Sequence, residues 1–478
     1  TQNSGARLVF NGGSSTGATL TVAPGYPVEI RGGTHLFDSA LGGTGRYLQT
    51  DGTTFFKNTL GNNNTNDIFV TVSGGTMNIG YIQHCQGLGL LACGTAVVNI
   101  ADNRTRIASD GKTHSLVVTN DAQVTTDGLY LLSHGNTTST GTVALAGGTL
   151  TMKGGFTGVG SQAGDLTYVS LDGGLLRFIG SSSSLAGMYH LYQIREGGAR
   201  IETATVDSTT TFYQGFTNAT GGTIDGGLIK SGPGTLRFLT DNRYTGASIL
   251  NAGTLTSWGT GDTPFGCGPV TINGGTLEIA PSGSGANLAL SLAHGDTANT
   301  VTVGSGVSML RAARGNHVSL SVTLGAADAA ADSVLTRDTH GVLAIWPGAG
   351  TSTLGDTEKV IVNGGVATVN GVVPTVFGIH NDDRRSCDFL AYDAADGFKL
   401  AAYTAGLGGG DTSIANVTAN ASTDSVHVHA LRVHNGAVLT VNSGQTLTVG
   451  DGVNPAGVIL NNSSSVTAGL NGGTLDFG

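Results

Sequence analysis

The chain has 478 residues, of which 79 are glycine and only 11% are charged, and its formal net charge is −10. Such a chain offers no basic field to phosphate backbones, which argues against nucleic acid as a partner. No apolar run approaches the ~18 residues of a membrane span, and no basic amphipathic helix is present to lie on a bilayer.

Glycine shows no Gly-X-Y period and alternates with stretches rich in Leu, Val, Ile and Thr, which excludes collagen and opposes simple disorder. In chain order, the segment from Thr1 to Asn58 holds short strands at Arg7-Leu8-Val9-Phe10, Thr19-Leu20-Thr21-Val22 and Val28-Glu29-Ile30, each bounded by Gly, Ser or Pro. The run 58–67, NTLGNNNTND, is polar and reads as a loop. Strands follow at Gly75-Thr76-Met77-Asn78-Ile79, Gly148-Thr149-Leu150-Thr151-Met152 and Gly174-Leu175-Leu176-Arg177-Phe178. The stretch 180–196 reads as an excursion whose middle forms one short helix.

The clearest repeats fill 225–280. Gly234-Thr235-Leu236-Arg237-Phe238, Gly253-Thr254-Leu255-Thr256-Ser257 and Gly275-Thr276-Leu277-Glu278-Ile279 recur at a nearly even spacing of about 20 residues, a period typical of stacked repeats. Spacing loosens from 281 to 331 and stays irregular over 331–410. Regular units return over 425–478 and include Gly473-Thr474-Leu475-Asp476-Phe477.

Within each unit the third and fifth places are apolar and the place between is free, so one face is buried and the other is wet. This alternation assigns Leu236, Phe238, Leu255, Leu277, Ile279, Leu475 and Phe477 to the core and leaves Arg237, Glu278 and Asp476 outside. A five-residue strand cannot bury its face alone, so each copy needs the next one stacked on it. The fold expected is all-β: a single-stranded right-handed parallel β-helix (β-solenoid) of about 20 rungs, continuous over 1–478 with a few loop excursions.

The stretch 231–255, SGPGTLRFLTDNRYTGASILNAGTL, resembles the passenger-associated β-strand repeat of autotransporter-like secreted bacterial proteins. Asn242, Tyr244, Thr245 and Gly246 stand where that family has its Asn-x-Tyr-Thr-Gly turn. Cys387-Asp388-Phe389-Leu390-Ala391-Tyr392-Asp393 is similar to a second block, Asp-Phe-x-x-Tyr-Asp, that often sits between strand repeats in large proteins of this type. The resemblance implies an extracellular, export-linked β-helix at the cell surface and does not imply a catalytic site. The chain begins at Thr1 with no leader-like segment and shows no terminal barrel pattern, so the expectation is that any signal peptide or translocator is absent from it.

Candidate chemistry is sparse. His380-Asn381-Asp382-Asp383-Arg384-Arg385 is the one dense charged cluster; adjacent Asp382 and Asp383 cannot share a face if extended, and no second acidic set lies one rung away. His427 and His429 share a strand face by parity and are weak metal candidates, since ligands at suitable spacing do not join them. Cys85 and Cys93 flank a glycine-rich loop and are a disulfide candidate, with two buried thiols as the alternative. Asn251, Asn273, Asn363 and Asn471 each precede a glycine turn, the placement an asparagine ladder needs. Tyr81, Tyr130, Tyr244 and Tyr392 are the aromatics to inspect for a sugar platform.

No cofactor is expected, and the protein is read as a non-enzyme. The function expected is that of a non-catalytic surface solenoid that joins end to end into filaments or forms part of a longer fibre, its partners being itself or the rest of a longer chain. The alternatives are an adhesin for surface glycans or neighbouring cells and, more remotely, a polysaccharide lyase or hydrolase.

Overall fold

A computed structural model describes residues 7–477 except 61–67, 83–87, 103–104, 109–110, 133–137, 159–164, 186–189, 222, 349–352, 380–385 and 463–467. The chain divides into two compact units, Thr1–Leu255 and Thr256–Gly478. Both are built from strands, and no α-helix occurs among the described residues. None is therefore long and apolar enough to cross a membrane as a helix.

In the first unit three parallel ladders run through the chain. One takes the front of Gly45–Leu60, then Ile68–Val72, Leu88–Ala92, the fronts of Thr113–Thr126 and Thr140–Met152, then Leu166–Leu171, His190–Ile194 and Phe216–Asn218. A second takes the backs of the long strands with Thr76–Ile82, Val97–Ile100, Leu175–Phe178, Ala199–Thr203, Leu228–Ser231 and Ser248–Leu250. The third runs over Thr105–Ala108, Leu129–Leu132 and Phe156–Gly158, and again over Ser182–Leu185, Thr209–Phe212 and Thr235–Phe238. The chain returns to each ladder after one circuit, a short one carrying Val28 to its partner Tyr47 and a longer one carrying Ala199 to Leu228.

Register puts like on like. Tyr47, Val70, Leu90, Leu116, Val143, Val169, Tyr192 and Phe216 are successive partners on the first ladder, and all are buried. Because side chains alternate faces with a period of two, a slip of one residue would turn this whole column outward. The late circuits fill with rings: Phe212 lies 4.9 Å from Tyr192, 5.0 Å from Phe216 and 5.9 Å from Phe238, centroid to centroid. Edge-on and tilted contacts of this kind add to plain area burial.

The second unit also pairs in parallel, with longer circuits: Val270 partners Val301, and Leu320 partners Glu358. The looser spacing read from 281 onward reflects these longer loops between strands. Val376–Ile379 pairs in parallel with Gly341–Pro347 on one side and antiparallel with Cys387–Asp393 on the other. Cys387–Asp393 then forms an antiparallel pair with Gly397–Leu400. Parallel pairing resumes from Ile414–Val417 onward in three short ladders.

One expectation falls largely outside the described residues and another needs correction. The described parts of 180–196 include Ser182–Leu185 and His190–Ile194, each stacked on a neighbouring strand, and the middle, 186–189, where a short helix is expected, lies outside the described residues. Leu236, Phe238, Leu255, Leu277 and Ile279 are buried, but Leu475 and Phe477 are 42% and 59% exposed. The strand Thr474–Asp476, which Phe477 follows, has one ladder neighbour among the described residues, Thr446–Val449, and no described strand stacks on its other side. Alternation assigns a side chain to a face, whereas burial needs a strand stacked on both sides. Asp476 is exposed, while Arg237 and Glu278 are half-buried, Glu278 being paired with Arg311, its register partner.

Candidate functional site

The repeat at 225–255 is held by four inward polar side chains. Asp225, buried, accepts at Oδ1 from the Gly227 and Gly246 amides, both at 2.9 Å, and at Oδ2 from the Thr245 amide at 2.8 Å. Asn242 Oδ1 accepts from the Phe216 amide of the preceding circuit at 2.9 Å. The Tyr244 hydroxyl lies 2.6 Å from Ser248 Oγ inside the core. The Asn-x-Tyr-Thr-Gly turn is therefore pinned to the circuit before it by backbone-directed bonds, and Tyr244 is no sugar platform.

Lys230 is the fourth. It occupies a core column, with Ile201 and Leu250 as its register partners, and is fully buried. Its Nζ donates to the carbonyls of Ser231 (2.8 Å), Gly232 (2.8 Å) and Ala252 (3.0 Å), using all three ammonium protons. Burial pulls its pKa down to about 8, with Glu202 opposing the shift. Gly253, at φ +71°, closes the same turn; a Cβ there would sit 2.4 Å from the Gly234 carbonyl oxygen. Parity with Leu228 already places Lys230 inside, a signal the apolar pattern alone passes over.

The Asp-Phe-x-x-Tyr-Asp block acts as a clasp. Asp388 and Arg432 form a buried ion pair at 3.2 Å, and the Tyr403 hydroxyl donates to Asp388 at 3.1 Å. Burial and the Asp388 charge push the Tyr403 phenol up, so it stays protonated and able to donate. Asn461 reads both polar groups of the Cys387 backbone, at 2.8 and 3.0 Å. At the other end of the strand, Tyr392 donates to the Val362 carbonyl and accepts from the Val362 amide. The block thus ties the strand Glu358–Val362 to Ala430–Val433 and the residues that follow Gly457–Leu460.

The other sequence candidates do not assemble. His427 Nε2 hydrogen-bonds to the Gly450 carbonyl, and His429 is buried at the corner between Val426–Val428 and Ala430–Val433, so the pair does not share a strand face. Burial also lowers the His429 pKa. No group of three or more His, Cys, Asp or Glu among the described residues is placed to hold a metal. Cys93 is half-buried, and Cys85 lies outside the described residues. So does the whole cluster from His380 to Arg385. An asparagine ladder does occur, at positions the turn pattern does not mark: Asn99 Nδ2 donates to Asn78 Oδ1 at 2.9 Å, between register partners. Asn363 instead donates to the Gly325 carbonyl. Tyr130 and Tyr392 are half-buried, and the Tyr81 side chain is outside the described set.

What sequence reasoning missed is on the outer face of the first ladder. Arg46, Phe69, Gly89, Ser115, Thr142, Tyr168 and Leu191 are successive outward register partners. Phe69 is 55% and Leu191 41% exposed. The outward parity of Phe69 in Ile68-Phe69-Val70-Thr71-Val72 was the available signal.

Stacked parallel strands with inward polar turns make up a β-repeat architecture, and comparison with known proteins finds a passenger repeat within it. Residues 228–256 match the passenger-associated-transport-repeat family, and the chain is an autotransporter-passenger-like protein. It is similar to the adhesin BmaC autotransporter of Brucella suis biovar 1 (strain 1330), 29% identical over 217 residues. That alignment covers 44% of this chain and 6% of the relative, so the chain spans a small part of that protein's length. No solved structure matches the chain.

Proposed function

We propose that this chain is a non-catalytic segment of a secreted passenger displayed at the cell surface, its parallel-paired stretches being stacks of right-handed β-helical circuits whose outer faces make adhesive contacts. The observation that carries the reading is the parallel pairing of the first ladder, to which the chain returns circuit after circuit from Gly45–Leu60 to Phe216–Asn218. Parallel crossovers of this kind are right-handed almost without exception. The passenger repeat at 228–256 and the likeness to an autotransporter adhesin support export and adhesion. The polar groups buried in the repeat and in the clasp serve the backbone and one another, which supports a structural role for both.

The test is display. Fused to an outer-membrane translocator and shown intact at the surface by protease shaving, the chain is expected to raise binding of the bacteria to cell monolayers or to each other. The purified protein is expected to release neither reducing nor unsaturated ends from polysaccharides. Intact display with no gain in adhesion contradicts the adhesive part; release of sugar ends contradicts the non-catalytic part.

A further inference from the structure

We propose that the outer face of the first ladder is a binding bed for an acidic polysaccharide laid along the stack, with Phe69 as its stacking platform and Arg46 as its anion contact. This rests on the adhesive reading above and names the surface and the ligand class.

The geometry begins with Gly89. A Cβ built on Gly89 would lie 2.9 Å from Phe69 Cδ1 and 3.3 Å from Cε1. The Phe69 ring therefore leans across the next strand over the one partner without a side chain, and it remains 55% exposed. A ring lying over a sheet with a face open to water offers a pyranose the apolar contact that its C–H face requires. A shallow cavity of about 420 Å³ opens around it, lined by Arg46, Leu48, Thr71, Leu91, Ser115 and Val117 among others.

Beyond Phe69 the row continues through Gly89, Ser115 and Thr142 to Tyr168. Those four ladder steps of ~4.8 Å span about 19 Å. Between the two rings the surface is low and hydroxylated: Thr113 partners Thr140 beside the Ser115 and Thr142 pair. An extended sugar chain advances by about one such step per ring, so its hydroxyls meet a hydroxyl row in phase with them while its ends rest on aromatic rings. On the other side of the row Leu48, Leu91 and Val117 line the cavity, so the bed sets an apolar strip beside a hydroxyl row, which suits the C–H face and hydroxyl edge of a sugar ring. Arg46, exposed and directly opposite Phe69 in register, is the charged side chain lining the cavity, and it selects a ring that carries a carboxylate.

The probe is an oligogalacturonate hexamer, with cellohexaose as its neutral counterpart, titrated calorimetrically against the intact protein. The unmodified protein is expected to bind the uronate saturably and at least tenfold more tightly than the glucan. Phe69→Ala is expected to weaken uronate binding tenfold or more, and Arg46→Gln to remove the preference for uronate. Gly89→Ala, which tips the ring without deleting it and adds a residue at ordinary backbone angles, is expected to weaken binding as well. Each variant is first checked for unchanged circular dichroism and thermal midpoint. Absence of saturable uronate binding, equal binding by Phe69→Ala, or equal affinity for both sugars overturns the proposal. Displayed cells that adhere equally well with Phe69→Ala would remove this site and leave the adhesive reading standing.

Discussion

Replacing Lys230 by Met keeps a flexible side chain of similar length in the core column and deletes the ammonium. Three charge-assisted bonds to the Ser231, Gly232 and Ala252 carbonyls are lost, each worth about 1.5–3 kcal/mol. Against this, burying the charge lowers the pKa from 10.5 to about 8, a penalty of roughly 3 kcal/mol that the variant no longer carries. The net expectation at pH 7 is a loss of about 3 kcal/mol. The pH dependence gives the sharper check. The folded-state pKa lies below the unfolded one, so between pH 8 and 10.5 the unfolded chain binds more protons, and the unmodified protein gains stability as pH rises. The gap to Lys230→Met should therefore widen by about 3 kcal/mol from pH 7 to 10.5, read as the difference in urea unfolding of the two proteins at each pH. Taking the difference cancels the tyrosine titrations that both share. A gap that stays constant or narrows would show that the ammonium is not desolvated as its burial implies.

Phe238→Ala opens a cavity beside Phe212 and Phe216, at centroid distances of 5.9 and 5.5 Å, and should lower stability by about 3–5 kcal/mol in the same assay. Asp388→Ala leaves the buried Arg432 charge uncompensated and should cost about 3–5 kcal/mol; adding Arg432→Met should recover part of the loss, and no recovery would refute the clasp as an ion pair. Asp382→Asn with Asp383→Asn should change no polysaccharide-processing activity, since none is expected; sugar-end release abolished by the pair would place catalysis in that cluster.

The core of the repeats was legible because period-two alternation is a local property: Leu236, Phe238, Leu277 and Ile279 follow from their own five residues. Leu475 and Phe477 obey the same pattern yet lie exposed, because cover comes from a stacked strand that local sequence does not encode. Lys230 and Tyr244 were unread for the opposite reason. Their parity points inward, but polarity argues outward, and only the carbonyls of Ser231, Gly232 and Ala252, or Ser248 Oγ, show why inward wins. The antiparallel turn-back at Cys387–Asp393 was likewise hidden, since strand direction leaves no mark on an apolar run. Phe69 was overlooked among aromatics chosen as tyrosines, although its outward parity was plain.

Circuit-by-circuit stacking of the first unit is tested most directly by distances along one outward row. Asn78, Asn99, Thr125, Thr151, Arg177, Glu202 and Ser231 are successive register partners. Spin labels are placed at Asn78 and, in turn, at Arg177, Glu202 or Ser231, with the four native cysteines replaced by serine. These pairs are four, five and six ladder steps apart, so pulsed dipolar spectroscopy should return about 19, 24 and 29 Å, rising linearly at ~4.8 Å per step. Distances that level off, fall or scatter across the three pairs would contradict the stack.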